Sequence, residues 1–592
     1  MNTACGRILL ALSLSLPASL VLAADLMLAG GTLPVCTSLS PGQCQEPGGW
    51  REDALKAPGF RVDADSIEAW AQTAEARMHP GQLEQIRRLL EALSEAMDKQ
   101  SNGAVDAAGF RHQFRRQSVD IDGHQVTGEA LYAQMSDPAW HMLRDHFQLP
   151  PRSPDGRTLR EEVRLHDSVN RDSVEIFERF VDIARARNEG EKPLVLVSTA
   201  SSRDPYDALA FYLQVFEQAG ARVKWLPLDA AVRTARDLED CGNLTRHQAE
   251  VLGSYRREHI DPQSHARQQA YCQDAKAGVK LVEKASGLFL NGGDQWLTFQ
   301  ALIDNNGDDT PEMAAIRNRI AAGELILGGT SAGSAVQSAE AMVTNGSVPT
   351  SLLRGAVRHS PPPHPACDRD GTCPEGLRAN DLTWHEHGLA TFPRGIVDTH
   401  FSERQRQFRL VRLLADTGIS FGIGIDETTA ALITLGSDDE GHAIETIGSG
   451  STWIVDIAHA DIADGETFAI GNARLLSIPA GQTWQTGRMM GGEGEDDMDG
   501  DMESSCDTFP HGKSFHLLVA ALNDDAAEQC FRLPLDEGGS ATGRIGRMTV
   551  DPGAPMLYRM DLSVDNDSVV LAAAPDRKQQ PDAAQGGADK AK

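Results

Sequence analysis

Positive charge and long apolar runs are both scarce in this chain of 592 residues. Lys and Arg together number 55 against 85 Asp and Glu, which gives a formal net charge of −30. A surface with this excess of acid repels nucleic acids and anionic membranes, and it attracts cationic substrates. Beyond residue 22 no apolar stretch approaches the length of a membrane-spanning helix. We therefore expect no nucleic-acid partner and no membrane partner.

The longest apolar run lies at the start of the chain. Arg7 precedes residues 8–22, which are apolar but too few for a convincing membrane span. Small residues that suit a signal peptidase follow, up to Ala23. Residues 1–23 thus have the pattern of a signal peptide. We expect a soluble, secreted protein, either extracellular or periplasmic.

CxxC spacing is absent among the nine cysteines, which argues against zinc binding and thiol redox chemistry. One of the nine, Cys5, would leave with the signal peptide. The even number that remains suits disulfides in an exported protein. Pairing of sequence neighbours is the simplest arrangement. The predicted disulfides are Cys36–Cys44, Cys241–Cys272, Cys367–Cys373 and Cys506–Cys530.

Short apolar runs alternate with amphipathic segments along much of the chain. Residues 193–198 are such a run, a helix-like segment covers about 208–219, and residues 222–226 are the next run. This rhythm is typical of a parallel sheet covered by helices. We predict an α/β fold with a mostly parallel sheet flanked by helices on both faces, and with a helical insertion at about 45–185.

The predicted domains follow from these patterns. After the signal peptide (1–23), a catalytic α/β domain covers 24–486. A C-terminal extension (487–574) contains an acidic loop at 493–503 and a small β unit. Residues 575–592 form a disordered tail.

The sequence Gly-Gly-Thr-Ser-Ala-Gly-Ser at 328–334 follows a short apolar run and precedes a helix-like segment at 335–342. A Gly-x-Ser-x-Gly pattern between a strand and a helix is typical of a nucleophile elbow. The turn would expose the hydroxyl of Ser331 and point the N–H of Ala332 toward an oxyanion. Ser331 is therefore the candidate nucleophile.

A second glycine-rich segment, Asn291–Gln295, follows the apolar run at 287–290. Glycines at the carboxyl end of a parallel strand lie where α/β folds bind ligands. The N–H groups of Gly292 and Gly293 could supply a second oxyanion donor, and Gln295 could contact substrate. The alternative is a turn that merely begins a helix.

His400 follows the apolar run at 395–397, so it could reach the serine on a neighbouring strand and act as general base. Arg404, Arg406 and Arg409 come within the next turns. Guanidinium groups near such an edge can hold a substrate carboxylate through forked hydrogen bonds. A satisfied polar histidine and a solvated arginine face are the alternatives for each residue taken singly.

Two adjacent acids follow the apolar run at 420–425. By strand alternation Glu427 shares a face with Ile423 and Ile425, whereas Asp426 lies on the other face. Either carboxylate could orient and charge-stabilise His400, as a catalytic triad requires. The residues alone leave this choice open.

Taken together, four motifs resemble the cyanophycinases, which are serine peptidases related to aspartyl dipeptidase (peptidase E). In the family's order, the motifs are Gly292–Gln295, Gly329–Gly333, Asp398–Phe401 with the arginines that follow, and Gly422–Thr428. The resemblance covers most of residues 190–485, plus the first predicted strand. Their joint occurrence in this order is far more specific than any one motif.

The resemblance implies a nucleophile at Ser331, a general base at His400 and an orienting acid at Glu427. It implies oxyanion donors at Ala332 and Gly293, and neither a metal nor an organic cofactor. The substrate-pocket residues that it implies are Gln295, Asp398, Arg404, Arg406 and Arg409. Thr399 stands where the family usually has Gln, and Ser334 stands where it usually has Ala.

The substrate implied is cyanophycin, an aspartate backbone with arginine attached to each β-carboxyl, which the family cuts to β-aspartyl-arginine dipeptides. The polymer's guanidinium groups suit an acidic protein. The alternative enzyme is a secreted aspartyl or isoaspartyl peptidase acting on other acidic peptides. A catalytically silent polymer-binding protein is disfavoured because all three triad positions are filled. A homodimer is left open.

Overall fold

The computed structural model describes residues 24–75, 79–99, 104–436, 441–463, 467–486, 506–509, 515–520, 522, 528–536, 539–548 and 555–565. The predicted signal peptide, acidic loop and C-terminal tail lie outside these residues. The domain boundaries therefore stay predictions.

The strands alternate with helices over the first two thirds of the described chain and then predominate. They are β1 (Leu26–Ala29), β2 (Ser118–Ile121), β3 (His124–Thr127), β4 (Leu194–Ser198), β5 (Arg222–Leu226), β6 (Gly287–Leu290), β7 (Ile326–Thr330), β8 (Met342–Asn345), β9 (Ala356–Arg358), β10 (Leu382–His385), β11 (Ile396–Thr399), β12 (Phe421–Ile425), β13 (Thr429–Thr434), β14 (Ala443–Gly448), β15 (Ser451–Asp456), β16 (Asp461–Ile462), β17 (Ala469–Pro479), β18 (Thr483–Gln485), β19 (Asp507–Thr508), β20 (Glu528–Pro534), β21 (Ser540–Arg547) and β22 (Met556–Asp565).

The helices are α1 (Ala64–Glu75), α2 (Pro80–Asp98), α3 (Ala107–Arg116), α4 (Gly128–Gln134), α5 (Asp137–Phe147), α6 (Arg171–Ala186), α7 (Leu209–Gln218), α8 (Ala230–Asp237), α9 (Leu244–His247), α10 (Arg257–Ile260), α11 (Pro262–Gln273), α12 (Ala277–Val282), α13 (Gln295–Leu302), α14 (Pro311–Ala321), α15 (Ala332–Ala335), α16 (Val348–Arg354), α17 (Cys367–Asp370), α18 (Arg406–Thr417) and α19 (Phe515–Ala520). Helix α9 continues into a π-helical turn at Gln248–Leu252.

The main sheet has the strand order β18-β14-β13-β1-β7-β6-β4-β5. Strands β1, β7, β6, β4 and β5 pair in parallel. Strands β13, β14 and β18 continue the sheet beyond β1 in antiparallel pairing. The fold is therefore a mixed α/β fold whose sheet contains a parallel core.

The central strands are buried on both faces, as their continuous apolar runs predict. Val195 and Val197 of β4 pack on one face with Phe177 of α6 and Phe216 of α7. On the other face Leu196 packs in a second core with residues of α8, α13 and α14. Helices thus cover both faces of the parallel strands.

A second sheet has the order β11-β12-β15-β17-β22-β21-β20-β19, with β16 pairing to β17. Its first pair, β11 and β12, is parallel, and β12, β15, β17, β22, β21 and β20 pair antiparallel in turn. Val397, Ile423 and Ile454 of this sheet share a core with Leu26 and Ile433 of the main sheet. The strands after residue 506 extend this second sheet.

The second sheet corrects one detail of the sequence-based expectation. His400 follows β11, which we expected next to the strand that carries Ser331. The neighbours of β7 are instead β1 and β6. His400 approaches from the other sheet because the apolar faces of the two sheets pack together.

The helix expected at 335–342 is also wrong. Helix α15 covers only Ala332–Ala335, and Met342 begins β8. The carbonyls of Val336 and Ser338 accept hydrogen bonds from the N–H groups of Leu389 (2.6 Å) and Gly388 (3.1 Å). These tertiary hydrogen bonds replace the ones that a longer helix would make.

Residues from about 60 to 147 form a helical region with its own apolar core, which includes Phe60, Trp70 and Leu89. A hairpin of β2 and β3 lies within this region. Helix α6 closes the predicted insertion, but its apolar side packs on the main sheet rather than in this core.

Four disulfides connect the cysteines that we paired by proximity in sequence, so that prediction is confirmed. Disulfides of this number are typical of an oxidising compartment. Within the described part of the chain, no helix combines the length and the apolar character that crossing a membrane requires.

Candidate active site

Ser331 occupies a strained turn between β7 and α15. Its backbone has φ 53° and ψ −115°, in a region that residues other than glycine rarely adopt. Gly329 and Gly333 permit the turn, because a Cβ on Gly329 would lie 2.1 Å from the carbonyl oxygen of Gly333. The N–H of Ser331 donates to the carbonyl of Ala29 on β1 at 2.9 Å. The turn is thereby fixed to the neighbouring strand.

His400 meets this serine from the second sheet. Its Nε2 lies 2.8 Å from Oγ of Ser331, and its Nδ1 lies 2.6 Å from Oε1 of Glu427. The His400 backbone also has a positive φ of 49°, and its N–H donates to the carbonyl of Gly30 at 2.8 Å. Serine, imidazole and carboxylate thus form one hydrogen-bonded chain, with the spacing that a triad requires.

The two adjacent acids have separate surroundings. Asp426 is fully buried. Its carboxylate accepts hydrogen bonds from the N–H groups of Ser402 (2.9 Å) and Ser451 (3.0 Å), and from Nε1 of Trp453 (3.1 Å). Asp426 therefore fixes the loop, while Glu427 alone of the two contacts His400.

The end of β1 brings the two sheets together. A Cβ on Gly31 would lie 2.3 Å from Cε1 of His400, and one on Gly30 would lie 2.0 Å from the carbonyl oxygen of Asp426. The carbonyl of Gly31 also accepts the N–H of Thr428 at 2.9 Å. Any side chain at these two glycines would push the histidine and the acid loop away from the serine.

The electrostatic surroundings keep His400 neutral. Burial lowers the pKa of its imidazole, the hydrogen bond that the ring donates to Glu427 raises it, and the nearby charges of Arg404 and Arg406 lower it again. The net shift is downward, so the ring is uncharged at neutral pH. A neutral Nε2 can accept the proton of the Ser331 hydroxyl, and the Nδ1–H can donate to Glu427.

Two residues next to Ser331 carry the backbone N–H groups expected to bind an oxyanion. Gly293 and Ala332 both line the cleft there. Among the described residues, neither N–H donates to a protein acceptor. Gly293 has φ 147°, and a Cβ there would lie 2.2 Å from the carbonyl oxygen of Ser201, so only glycine suits this position. These N–H groups could stabilise a developing negative charge.

The cleft around these groups has a volume of about 210 Å³. All the residues expected in the site except Glu427 line it: Gly293, Gln295, Ser331, Ala332, Asp398, His400, Arg404, Arg406 and Arg409. Ala335, Thr399 and residues 343–346, at the end of β8 and just beyond it, complete its walls.

Most of the charges in this cleft neutralise one another. Asp398 is 2% exposed and accepts hydrogen bonds from Nε and Nη2 of Arg409 at 3.0 and 2.6 Å, and from Nη1 of Arg406 at 3.3 Å. Burial alone would raise the pKa of Asp398, but the charges of Arg409 and Arg406 outweigh it and hold the pKa below its usual range. Burial and the charge of Arg409 lower the pKa of Arg406 to about 9, which leaves it charged at neutral pH.

Arg404 differs from these two arginines. It is exposed, it lines the cleft, and it forms no ion pair with any residue that the structure describes. Gln295 is engaged, since its Nε2 donates to the carbonyl of Val343 at 2.7 Å. Arg404 is thus the cleft cation with a free charge, whereas Gln295, Arg406 and Arg409 already have protein partners.

Glu403, Asp426 and His516 bring ligand atoms close enough together to suggest a metal site. Their hydrogen bonds favour another interpretation. His516 Nε2 lies 2.9 Å from Oδ2 of Asp426, and that oxygen also accepts the two donors of Ser451 and Trp453. Its acceptor capacity is taken by protein donors, so the cluster serves to brace the acid loop.

Sequence reasoning missed three residues that shape this site. Gly30 and Gly31 were not among the predicted site residues, although two glycines at a strand end can signal a close approach of another segment. Glu403 accepts the N–H of Glu427 at 3.1 Å and so helps to place it. No sequence signal marks Glu403, because its partner is 24 residues away.

Comparison with known proteins finds curated relatives of one kind. A curated cyanophycinase of Geminocystis herdmanii is 34% identical over 211 residues, which is 35% of this chain and 64% of the relative. One from Trichormus variabilis is 31% identical over 238 residues, or 39% of this chain and 66% of the relative. The chain is related to the cyanophycinases. The resemblance seen in the sequence is thereby confirmed.

A third cyanophycinase, from Synechococcus elongatus, is 30% identical over 34% of this chain and 53% of the relative. This chain thus spans between about half and two thirds of the length of these cyanophycinases. No protein-family model matches the chain. A peptidase structure from an acI-B1 Actinobacterium covers 53% of this chain and 90% of that one at 18% identity, with a TM-score of 0.30. That similarity is too low to bear on fold or function.

Proposed function

We propose that this chain is a secreted serine-type cyanophycinase, which degrades cyanophycin to β-aspartyl-arginine dipeptides through an acyl-enzyme. The observation that carries the proposal is the hydrogen-bonded chain from Ser331 through His400 to Glu427, on a backbone turn held in strained geometry. The relationship to the cyanophycinases supports the substrate.

In the first step, His400 Nε2 takes the hydroxyl proton as Ser331 Oγ attacks the α-peptide carbonyl between two aspartates. The carbonyl oxygen becomes an oxyanion, which the N–H groups of Ala332 and Gly293 stabilise. Glu427 stabilises the imidazolium through Nδ1–H. The geometry of the free cleft supports each of these roles.

The tetrahedral intermediate then collapses. The bond from carbon to the amide nitrogen breaks, and the proton on His400 goes to that leaving nitrogen. Water enters, gives a proton to the same Nε2 and attacks the ester carbon. Release of the carboxylic acid returns the proton to Ser331, so no redox partner or cofactor takes part.

The free charge of Arg404 supports recognition of a substrate carboxylate, which cyanophycin offers on every arginine. Arg406 and Arg409 form the cleft wall behind it through their pairs with Asp398. Four disulfides in the described chain and the signal-like start of the sequence support export. Export would bring the enzyme to a polymer released from other cells.

Mass spectrometry of the products tests the proposal directly. The mature protein and Ser331→Ala are incubated with cyanophycin, and β-aspartyl-arginine is quantified. We expect dipeptide from the first protein and a loss of about 10⁴-fold or more in the variant. Ser334→Ala is the matched control, because it removes a nearby serine hydroxyl that donates only to the Ala29 and Gly329 carbonyls.

If the folded mature protein releases no dipeptide, cyanophycin is not its substrate. The alternative, a peptidase for other acidic peptides, then predicts cleavage of aspartyl or isoaspartyl dipeptides that depends on Ser331. Equal release by Ser331→Ala would show instead that Ser331 is not the nucleophile.

A further inference from the structure

A second concave region lies away from the cleft. It is a cavity of about 680 Å³, and it shares no lining residue with the cleft around Ser331. Its walls come from residues 39–58 and 148–163 on one side and from residues 204–218 and 257–267 on the other. A volume of this size is typical of sites for small organic ligands.

Two carboxylates in this cavity have no charged partner. Glu161 is only 9% exposed, and its hydrogen-bond partner is the neutral hydroxyl of Thr37. Asp207 is reached by solvent through the mouth of the cavity. Among the described residues neither carboxylate forms an ion pair, and Asp207 accepts no side-chain hydrogen bond.

The two carboxylates also repel each other. Burial and then the charge of Asp207 raise the pKa of Glu161, against the Thr37 hydrogen bond. Burial raises the pKa of Asp207, as does the charge of Asp204, and the nearby charges of Arg257, Arg144 and Arg203 offset only part of this shift. A buried carboxylate beside a like charge is costly, as Glu161 is here, and a bound cation would relieve that cost.

The arginines that line the cavity have other partners. Arg257 pairs with Asp204 and Asp145, Arg51 lies near Asp53 and Glu162, Arg160 donates to Gln263 at 2.8 Å, and Arg267 stacks over the Trp225 ring. The remaining acids, apart from Glu217 on the rim, are engaged too. Glu162 pairs with Arg164, and Asp261 caps α11 through the N–H of Ser264. Apart from Glu217, buried Glu161 and solvent-exposed Asp207 are thus the lining acids that neither pair with an arginine nor cap a helix.

The rest of the wall suits an organic cation better than a metal ion. Apolar side chains line much of it, and among them are six leucines: Leu39, Leu55, Leu149, Leu159, Leu209 and Leu213. Such a surface packs well against a chain of methylene groups. A hard metal ion would instead need about six oxygen ligands in a close shell. A planar guanidinium offers forked N–H donors that can serve two carboxylates at once.

We propose that this cavity binds an arginyl side chain, with its guanidinium between Glu161 and Asp207 and its methylenes against the leucines. Two sources share this chemistry: the arginine groups of a polymer and a free arginyl product. The assignment to cyanophycin rests on the proposed function. The proposed site does not depend on that function, because its acids and its apolar wall share no residue with the cleft.

A direct binding experiment uses full-length mature protein that carries Ser331→Ala, so that nothing is hydrolysed. The probe is Nα-acetyl-arginine amide, and Nα-acetyl-citrulline amide is its uncharged counterpart of the same shape. Calorimetry should detect the first and not the second. The double variant Glu161→Gln/Asp207→Asn should weaken binding of the arginine probe at least tenfold.

Glu217→Gln is the matched control, since Glu217 is an exposed acid on the rim of the same cavity. It should leave the Kd of the arginine probe unchanged, as should Arg404→Ala in the cleft. Thermal unfolding checks that the double variant is folded, and amide substitutions of two repelling acids should not lower its Tm. Unchanged probe binding by a folded double variant, or equal binding of the citrulline probe, would overturn the proposal.

Cosedimentation with cyanophycin granules distinguishes the two sources. Loss of granule binding in the double variant would show that the cavity takes arginines of the polymer. Loss of probe binding with unchanged granule binding would show that it takes free arginyl products. If the intact enzyme fails to cut cyanophycin while the arginine probe still binds at the cavity, the proposed function fails and the site stands.

Discussion

Two concave regions of this molecule hold buried carboxylates in opposite ways. In the cleft, Asp398 is 2% exposed and neutralised by Arg409 and Arg406. In the cavity, Glu161 is 9% exposed and has only a hydroxyl partner. The pKa of Asp398 lies below its usual range and that of Glu161 lies above it, because only the first has cations beside it.

The contrast between Asp398 and Glu161 distinguishes two kinds of charged side chain. One kind is neutralised by protein partners and stabilises the structure, and the other kind is available to a ligand. The arginines beside Asp398 are already bound, so most of the positive charge in the cleft builds its wall. Arg404 in the cleft, and Glu161 and Asp207 in the cavity, form no ion pair with any described residue. Substitutions at Asp398, Arg404 and Glu161 should show whether each charge stabilises the fold or is available to a ligand.

The largest loss of activity is expected at Glu427, the carboxylate that engages the cleft histidine. Glu427→Gln should lower kcat on cyanophycin by about 10⁴-fold, since an amide cannot stabilise the imidazolium and favours the wrong tautomer. Steady-state kinetics measure the loss, and an unchanged circular dichroism spectrum controls for folding. Nearly full kcat in this variant would mean that Glu427 is not the orienting acid.

A large loss of stability is expected on substitution of Asp398, the carboxylate that two arginines neutralise. Asp398→Asn should lower the free energy of unfolding by about 3–5 kcal/mol, because it leaves the buried charges of Arg406 and Arg409 without a partner. Urea unfolding measures it. Glu161→Gln, the same change of carboxylate to amide in the cavity, is the comparison and should cost little. Equal losses of unfolding free energy in Asp398→Asn and Glu161→Gln would show that the two carboxylates do not differ in their contribution to stability.

A smaller effect is expected at the cation with a free charge. Arg404→Ala should raise KM for cyanophycin about 10- to 100-fold, which corresponds to one charge-assisted hydrogen bond to a substrate carboxylate. Its free energy of unfolding should stay unchanged, whereas Arg409→Ala should be destabilising. An Arg404→Ala protein with normal KM would assign carboxylate recognition to another residue.

The smallest effect is expected at Glu161, in the pH dependence of the free energy of unfolding. Its pKa is raised by folding, so the folded state binds the proton more tightly than the unfolded state does. Stability should therefore fall as pH rises from the unfolded pKa, about 4.3, through the folded pKa. Glu161→Gln removes this loss. Urea unfolding should therefore show that the free energy of unfolding of the variant increases relative to that of the parent protein as the pH rises above about 4. If the parent protein instead became more stable relative to the variant as the pH rises, the raised pKa of Glu161 would be contradicted.

Several features could be read from the sequence because they depend on neighbours along the chain. The disulfide partners are close in sequence, and the structure confirms all four. The strands at 194–198, 222–226 and 287–290 are continuous apolar runs, which suits strands buried on both faces. The helix expected after Ser331 is wrong, because distant N–H groups from residues 388 and 389 take the carbonyls that such a helix would use.

The sequence by itself determined which chemical groups are present and their order: a glycine-flanked serine, a histidine, two adjacent acids and a run of arginines. Only the tertiary structure decided which acid contacts His400 and which arginines pair with Asp398. It also decided that Glu161 and Asp207 share a cavity. The physical reason is that these contacts join segments of two sheets and a helical region, and their distances depend on packing between elements. Hydrogen bonds and charges across such packing leave no periodic pattern in the chain.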